Sequence, residues 1–194
     1  MTSLSNHLEL AKLCQQSYCA PPSLPVQTIS GIVFAVVADK IVFRGSKSEQ
    51  DWLRDFEARP VEHPQLGKVE AGFMDGMQDV FKFLRASGPT NPIITGHSLG
   101  GAHAAILAAL YSANNLPWQE LVTFGCPRPG YQALRNLLAG RNMTAYRNGH
   151  DIVPTVPRAF LWLRYRSYTE WTHIGEGDDP ISDHLIANYI AALG

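Results

Sequence analysis

The chain has 194 residues, of which 45% are hydrophobic and 17% charged, and its formal net charge at pH 7 is −1. This composition is ordinary for a globular protein and excludes a disordered chain. The near-neutral charge gives no reason to expect nucleic acid or an anionic membrane as the main partner. No apolar stretch is long enough to span a bilayer, so no transmembrane segment is predicted.

The cysteines and the N-terminal sequence indicate in which compartment the protein is expected. The three cysteines are an odd number and cannot form a complete disulfide framework. No spacing resembles a zinc site, and we predict no metal. Residues 1–9 show no basic segment followed by an apolar one, so no secretory signal is expected. These features predict a cytoplasmic protein, or one that is released without a signal.

The first half of the chain alternates between helical and extended patterns. Apolar spacing predicts a helix over residues 5–18, and the prolines after it lead into an extended segment. Two β-branched and aromatic runs, 29–37 and 40–44, predict a hairpin. Residues 67–71 are typical of a linker, and residues 72–86 predict one amphipathic helix.

The second half continues this alternation. A short strand leads to residue 97, and an Ala-rich helix is predicted over residues 102–111. Further elements are predicted as strands at 121–125, 143–147 and 161–168 and helices at 131–139 and 182–192. Alternating strands and helices indicate an α/β sandwich with a mainly parallel central sheet. No repeat or linker divides the chain, so we expect a single domain over residues 1–194.

A Gly-x-Ser-x-Gly pattern with Ser98 at its centre stands between a predicted strand and a predicted helix. In that context the pattern forms a nucleophile elbow. Gly96 and Gly100 are needed because strand and helix pack closely around Ser98, and a Cβ on either side would clash. The hydroxyl then lies at a helix N-terminus, where the N–H of Leu99 points at an oxyanion forming on Ser98.

A serine hydroxyl is a weak nucleophile and needs a histidine as base and a carboxylate to orient that histidine. Catalytic groups of parallel sheets lie beyond the carboxyl ends of the strands, and Asp151 follows a predicted strand in such a position. His173 and His184 are the candidates for the base. Position favours His184, because a loop-to-helix junction can deliver an imidazole to this edge of the sheet.

Other residues near the pattern have different predicted roles. His103, about one turn along the elbow helix, is expected to serve packing or capping. A second oxyanion donor is expected from a loop after an earlier strand. Ser46 fits this role because Gly45, directly before it, permits a close approach of the backbone.

Together these motifs resemble those of the class 3 lipases, the family that includes the filamentous-fungal triacylglycerol lipases and related feruloyl esterases. The similar segments keep the family's order along most of the chain. They are the oxyanion strand 42–46, the lid residues 51–53, the Gly-aromatic pair 72–73, the elbow 95–102, the strand and loop 123–130, the aspartate segment 146–154, the non-catalytic aromatic-x-His-x-Gly segment 171–175 and the histidine pair 183–184. The family usually has a histidine before x-Gly-aromatic, and here Glu70 stands there.

The resemblance implies an α/β-hydrolase fold, a three-layer sandwich around a mainly parallel sheet. It assigns the catalytic triad to Ser98, Asp151 and His184. It also implies Ser46 and Leu99 as the oxyanion donors. No cofactor is implied.

The implied function is a serine hydrolase that cleaves acylglycerols or related lipid esters through an acyl-enzyme. Residues 46–59 are the candidate lid, in which Trp52, Leu53 and Phe56 form an apolar face suited to transient contact with a lipid surface. An ordinary surface helix that buries these three side chains is the alternative for this segment. Alternatives for the whole chain are a soluble short-chain esterase, a phospholipase A1, an acyltransferase with the same triad and a catalytically silent lipase-like binding module.

Overall fold

A computed structural model of the protein describes residues 3–19, 23–46, 58–157 and 164–194. Within these ranges the central sheet has seven strands. They are β1 (Val26–Ile29), β2 (Ile32–Val37), β3 (Lys40–Phe43), β6 (Ile93–His97), β7 (Glu120–Phe124), β8 (Met143–Asn148) and β9 (Trp171–Ile174). Two further strands, β4 (Pro60–His63) and β5 (Gly67–Glu70), pair as a separate antiparallel hairpin. The predicted lid residues Trp52, Leu53 and Phe56 lie outside the described residues.

The strand order of the central sheet is β1-β2-β3-β6-β7-β8-β9. The first three strands are antiparallel, which confirms the predicted hairpin, and every pairing from β3 to β9 is parallel. The carboxyl ends of the parallel strands therefore meet at one edge of the sheet, where the functional residues are expected.

Helices cover both faces of this sheet. They are α1 (Ser3–Ser17), α2 (Ala71–Met74), α3 (Met77–Ser87), α4 (Leu99–Ala113), α5 (Gln132–Leu138) and α6 (Ile186–Leu193), with 3-10 turns at Val153–Thr155 and Ser182–His184. Helices α1 and α6 pack together on one face, and α4 lies on the other face among α2, α3 and α5. This arrangement confirms the predicted three-layer sandwich. No helix in the described part of the chain is long and apolar enough to cross a membrane.

Each face of the sheet has its own apolar core. On the α1 and α6 face, Leu10 and Cys14 pack with Val122 and Phe124 of the sheet. On the other face, every residue of α4 from position 100 to 111 is buried. A helix enclosed on all sides is apolar all round, which explains why the sequence of α4 shows alanines and leucines instead of an amphipathic stripe.

Two predictions in the first half of the chain were wrong. The predicted linker at 67–71 forms β5, because it pairs with β4. The helix predicted over 72–86 is divided into α2 and α3. Gly76 separates them with a left-handed φ of 75°, and a Cβ there would lie 2.6 Å from the backbone oxygen of Ser30.

Two further predictions were wrong near the end of the chain. The strand predicted at 161–168 lies partly outside the described residues, and residues 164–168 form only an isolated bridge between Arg166 and Gly130. The strand that joins the sheet is β9, which pairs with β8. The helix predicted over 182–192 is a 3-10 turn followed by α6.

Candidate active site

Ser98 lies between β6 and α4 with φ 56° and ψ −130°, a backbone conformation that serine rarely adopts. Its N–H donates to the backbone oxygen of Phe124 on the neighbouring strand at 3.0 Å. A Cβ at Gly96 would lie 2.2 Å from the oxygen of Gly100, and a Cβ at Gly100 would lie 2.4 Å from the oxygen of Phe43. Both glycines are therefore needed for the close packing around the serine, as the sequence predicts.

Three buried side chains meet at the carboxyl edge of the sheet. Nε2 of His184 lies 2.9 Å from Oγ of Ser98, and Nδ1 of His184 lies 2.8 Å from Oδ2 of Asp151. Ser98 and Asp151 are 0% exposed and His184 is 1% exposed. Because an ionised carboxylate only accepts hydrogen bonds, Nδ1 carries the proton and the lone pair of Nε2 faces the serine hydroxyl. This is the tautomer that a general base for Ser98 needs.

The carboxylate of Asp151 is held from several sides. Its Oδ1 accepts the N–H of Val153 at 2.8 Å, and its Oδ2 also accepts the phenol of Tyr189 at 2.5 Å. Burial, and after it the charge of Asp151, raises the pKa of Tyr189 well above its ordinary value, so the phenol stays a donor. Sequence reasoning missed Tyr189, whose position on α6 is that of an ordinary core aromatic residue.

The loop of residues 44–46, here called the oxyanion loop, runs directly against the elbow. A Cβ on Gly45 would lie 2.7 Å from the backbone oxygen of His97 and 3.1 Å from Cβ of Ser98. Ser46 follows this contact and is half-buried. Leu99 is the first residue of α4, so its N–H is at the helix N-terminus next to Ser98.

The family model for lipase (class 3) matches residues 40–161 of the chain. The chain belongs to the class 3 lipase family. It is 35% identical to a lipase of Rhizomucor miehei over an alignment of 150 residues that covers 68% of this chain and 40% of that protein. It is 28% identical to the secreted mono- and diacylglycerol lipase 1 of Fusarium solani over an alignment of 186 residues that covers 86% of this chain and 56% of that protein. The chain thus spans about half the length of these curated relatives.

A solved structure of the Rhizomucor miehei triacylglyceride lipase has the same fold. The TM-score is 0.65 at 24% sequence identity, over 90% of this chain and 81% of the fungal one. This likeness confirms the α/β-hydrolase fold that the sequence motifs imply.

Two other histidines considered from the sequence, His173 and His103, have different places in the structure. His173 is exposed on β9, so the structure brings His184 and not His173 to Ser98. His103 is buried in α4 with its ring 6.0 Å from that of Phe43, and burial lowers its pKa to about 4. His103 is thus a packing residue, in agreement with its predicted role.

The turn that carries His184 is fixed by its neighbour Asp183. Oδ2 of Asp183 accepts the N–H of His150 at 2.8 Å, and its backbone oxygen accepts the side-chain amide of Asn148 at 3.0 Å. These bonds tie the 3-10 turn to the end of β8. The loop after β8 carries Asp151, so the two residues that face each other in the site are anchored to the same strand.

Glu70, which stands where the family usually has a histidine, caps α2. Its Oε2 accepts the N–H of Phe73 at 2.8 Å, and its Oε1 accepts the N–H of Arg59 at 3.4 Å. The residue is buried, and burial raises the pKa of its carboxyl. The carboxylate at this position thus has a structural role. Within the described ranges, no group of three or more His, Cys, Asp or Glu residues is placed to hold a metal ion.

Proposed function

We propose that this class 3 lipase hydrolyses acylglycerols or related lipid esters through an acyl-enzyme on Ser98. The observation that carries the proposal is the buried hydrogen-bond chain from Asp151 through His184 to Ser98, with distances of 2.8 and 2.9 Å. Nucleophile, base and orienting carboxylate are each within hydrogen-bond reach of the next, as acyl transfer requires.

Each step uses side chains of the site. Ser98 Oγ bonds to the ester carbonyl carbon while its proton passes to Nε2 of His184, and the carbonyl oxygen becomes an oxyanion. The N–H groups of Leu99 and Ser46 bind that oxyanion. His184 then gives the proton to the leaving alcohol as the C–O bond breaks. Water, deprotonated by His184, then attacks the acyl carbon. The bond from that carbon to Oγ breaks, His184 returns the proton to Oγ of Ser98, and the fatty acid is released.

Two features support a lipid surface as the place of action. Ser98 and His184 have almost no exposed surface, so an ester reaches them only after the site opens. Ile181 and Leu185 flank the turn that carries His184, and each is 49% exposed. Apolar side chains beside a covered site are suited to contact with a lipid interface.

The test is hydrolysis of p-nitrophenyl esters, from acetate to palmitate, below and above the solubility limit of each ester. Ser98→Ala is expected to lower kcat by about 10⁴ or more. An abrupt rise in rate above the solubility limit indicates a lipase whose site opens at an interface. Smooth saturation indicates the soluble short-chain esterase. Diacylglycerol and phosphatidylcholine vesicles, assayed in parallel, separate the acylglycerol lipase from the phospholipase A1.

Ser87→Ala is a matched control for contaminating esterase. Ser87 is on the surface, and its hydroxyl donates to the backbone oxygen of Phe83 in its own helix. This variant is expected to keep the wild-type rate. Full activity in Ser98→Ala contradicts the serine mechanism, and inactivity of the wild type towards every ester favours the binding module.

A further inference from the structure

We propose that Tyr18 and His97 form a relay that positions the oxyanion loop and the backbone of His184 relative to each other. Tyr18 is then a positioning residue for the proposed ester hydrolysis, and the inference rests on that function. Tyr18 directly follows α1, which packs on the sheet face opposite α4. The relay thus connects an outer helix with the site.

The hydrogen bonds of the relay run in one direction. Nε2 of His97 lies 2.7 Å from the backbone oxygen of His184, and a carbonyl can only accept, so Nε2 carries the proton. Nδ1 then has a free lone pair, which accepts the phenol of Tyr18 at 2.9 Å. The phenol oxygen in turn accepts the N–H of Gly45 at 3.1 Å. Each group has the role that its neighbour requires.

The two ends of the relay contact parts of the site whose relative positions must be kept for catalysis. Gly45 directly precedes Ser46, the proposed oxyanion donor, and a Cβ on Gly45 would lie 2.3 Å from the phenol oxygen. The oxyanion loop therefore rests directly on Tyr18. At the other end the relay holds the backbone of His184, whose ring must reach Ser98.

The relay also avoids adding charge beside the base. The rings of His97 and His184 are stacked, with centroids 4.7 Å apart. During the reaction His184 becomes a cation, and a second imidazolium at this distance would oppose that change. Burial and the nearby His184 lower the pKa of His97 well below its ordinary value, so His97 stays neutral at working pH.

The test is Tyr18→Phe, which removes the hydroxyl and keeps the ring. Loss of a direct oxyanion donor costs about 10²–10³ in kcat, so a displaced donor is expected to cost about 10- to 100-fold. KM for a short ester is expected to stay within about twofold, because the substrate pocket is unchanged. The inhibition constant of an alkyl boronic acid, which forms a tetrahedral adduct with Ser98, is expected to rise with the loss in kcat.

These readouts separate positioning from a purely structural role. A fluorophosphonate that labels Ser98 counts the active sites, so kcat is expressed per folded site. A structural role lowers the melting temperature or the number of sites and leaves the kcat per site and the boronate constant unchanged. That result would overturn the proposal.

Tyr165→Phe is the matched control, because Tyr165 is a buried tyrosine whose hydroxyl has no hydrogen-bond partner among the described residues. It is expected to keep the wild-type kcat and boronate constant. A second pair, His97→Gln and His97→Leu, tests the other member of the relay. The Gln amide keeps a donor and an acceptor, so the kcat of His97→Gln is expected to be higher than that of His97→Leu. Equal activity in the two variants contradicts the relay.

Failure of the relay can be told apart from failure of the proposed function. If the wild type hydrolyses esters and Tyr18→Phe does so equally well, only the relay fails. If the wild type hydrolyses no ester, the proposed function fails, and the relay is measured by the rate of fluorophosphonate labelling, expected to be about tenfold slower in Tyr18→Phe. A wild type that is neither active nor labelled overturns both.

Discussion

Tyr189 donates a hydrogen bond of 2.5 Å to Oδ2 of Asp151, the same oxygen that accepts the Nδ1 proton of His184. We expect Tyr189→Phe to lower the free energy of unfolding by about 1.5–3 kcal/mol, because a buried bond to a charged group is lost. The kcat is expected to fall about tenfold, far less than the factor of about 10⁴ for Asp151→Asn. Urea unfolding and ester kinetics measure both quantities, and unchanged values in Tyr189→Phe contradict this role.

Gly125 leaves room for the histidine–carboxylate pair. A Cβ there would lie 2.7 Å from Cε1 of His184 and 2.8 Å from Oδ2 of Asp151. We expect Gly125→Ala to displace the imidazole and lower kcat by about 10² or more. Gly31→Ala is the control, because Gly31 also has a positive φ but nothing lies within 4 Å of its Cβ position. If both variants lose stability and neither loses kcat, the spacing is not critical.

The cap formed by Glu70 is expected to act on stability and not on chemistry. Glu70→Ala removes the carboxylate that accepts from the N–H groups of Phe73 and Arg59, at a cost of about 1–3 kcal/mol. Glu70→Gln keeps one acceptor oxygen and should recover part of the loss. Thermal unfolding gives the stabilities, and kcat per active site should equal the wild-type value in both variants. A large loss of kcat per site would indicate a role in catalysis.

The buried His103 is expected to make stability fall in mild acid. Its folded pKa is about 4, against an ordinary value of 6.5. Between these values the unfolded chain binds a proton that the folded chain does not, so stability is lost as pH falls from about 6.5 towards 4. The slope from this residue is at most about 1.4 kcal/mol per pH unit. Urea unfolding at several pH values should show a smaller acid loss in His103→Gln, and parallel curves would contradict the assignment.

The elbow could be predicted from sequence because its chemistry is local. Gly96, Ser98 and Gly100 lie within five residues, and the strand and helix around them are strongly patterned. Asp151 could be predicted because it follows a parallel strand, whose carboxyl end has a fixed place in the sheet. Position along the chain only favoured His184 over His173, and the family resemblance was needed to choose between them.

The supporting residues could not be predicted because their contacts join distant parts of the chain. Tyr18 and His97 form a hydrogen bond although they are 79 positions apart in the sequence, and Tyr189 and Asp151 do so although they are 38 positions apart. No local pattern encodes such pairs. The strand predicted at 161–168 was wrong for a related reason. A short apolar run does not show which segment adds the next strand to a sheet, and here that segment is β9.

The backbone of Ser98, with its φ of 56°, is a conformation that glycine adopts freely and serine does not. Strain of this kind costs about 1–3 kcal/mol, against about 1 kcal/mol for the greater chain entropy of glycine. Ser98→Gly is therefore expected to be inactive and to melt no lower than the wild type, as calorimetry can show. Selection for activity and selection for stability then act in opposite directions at this position. A glycine here in a related sequence would mark a chain in which the proposed hydrolysis is no longer under selection.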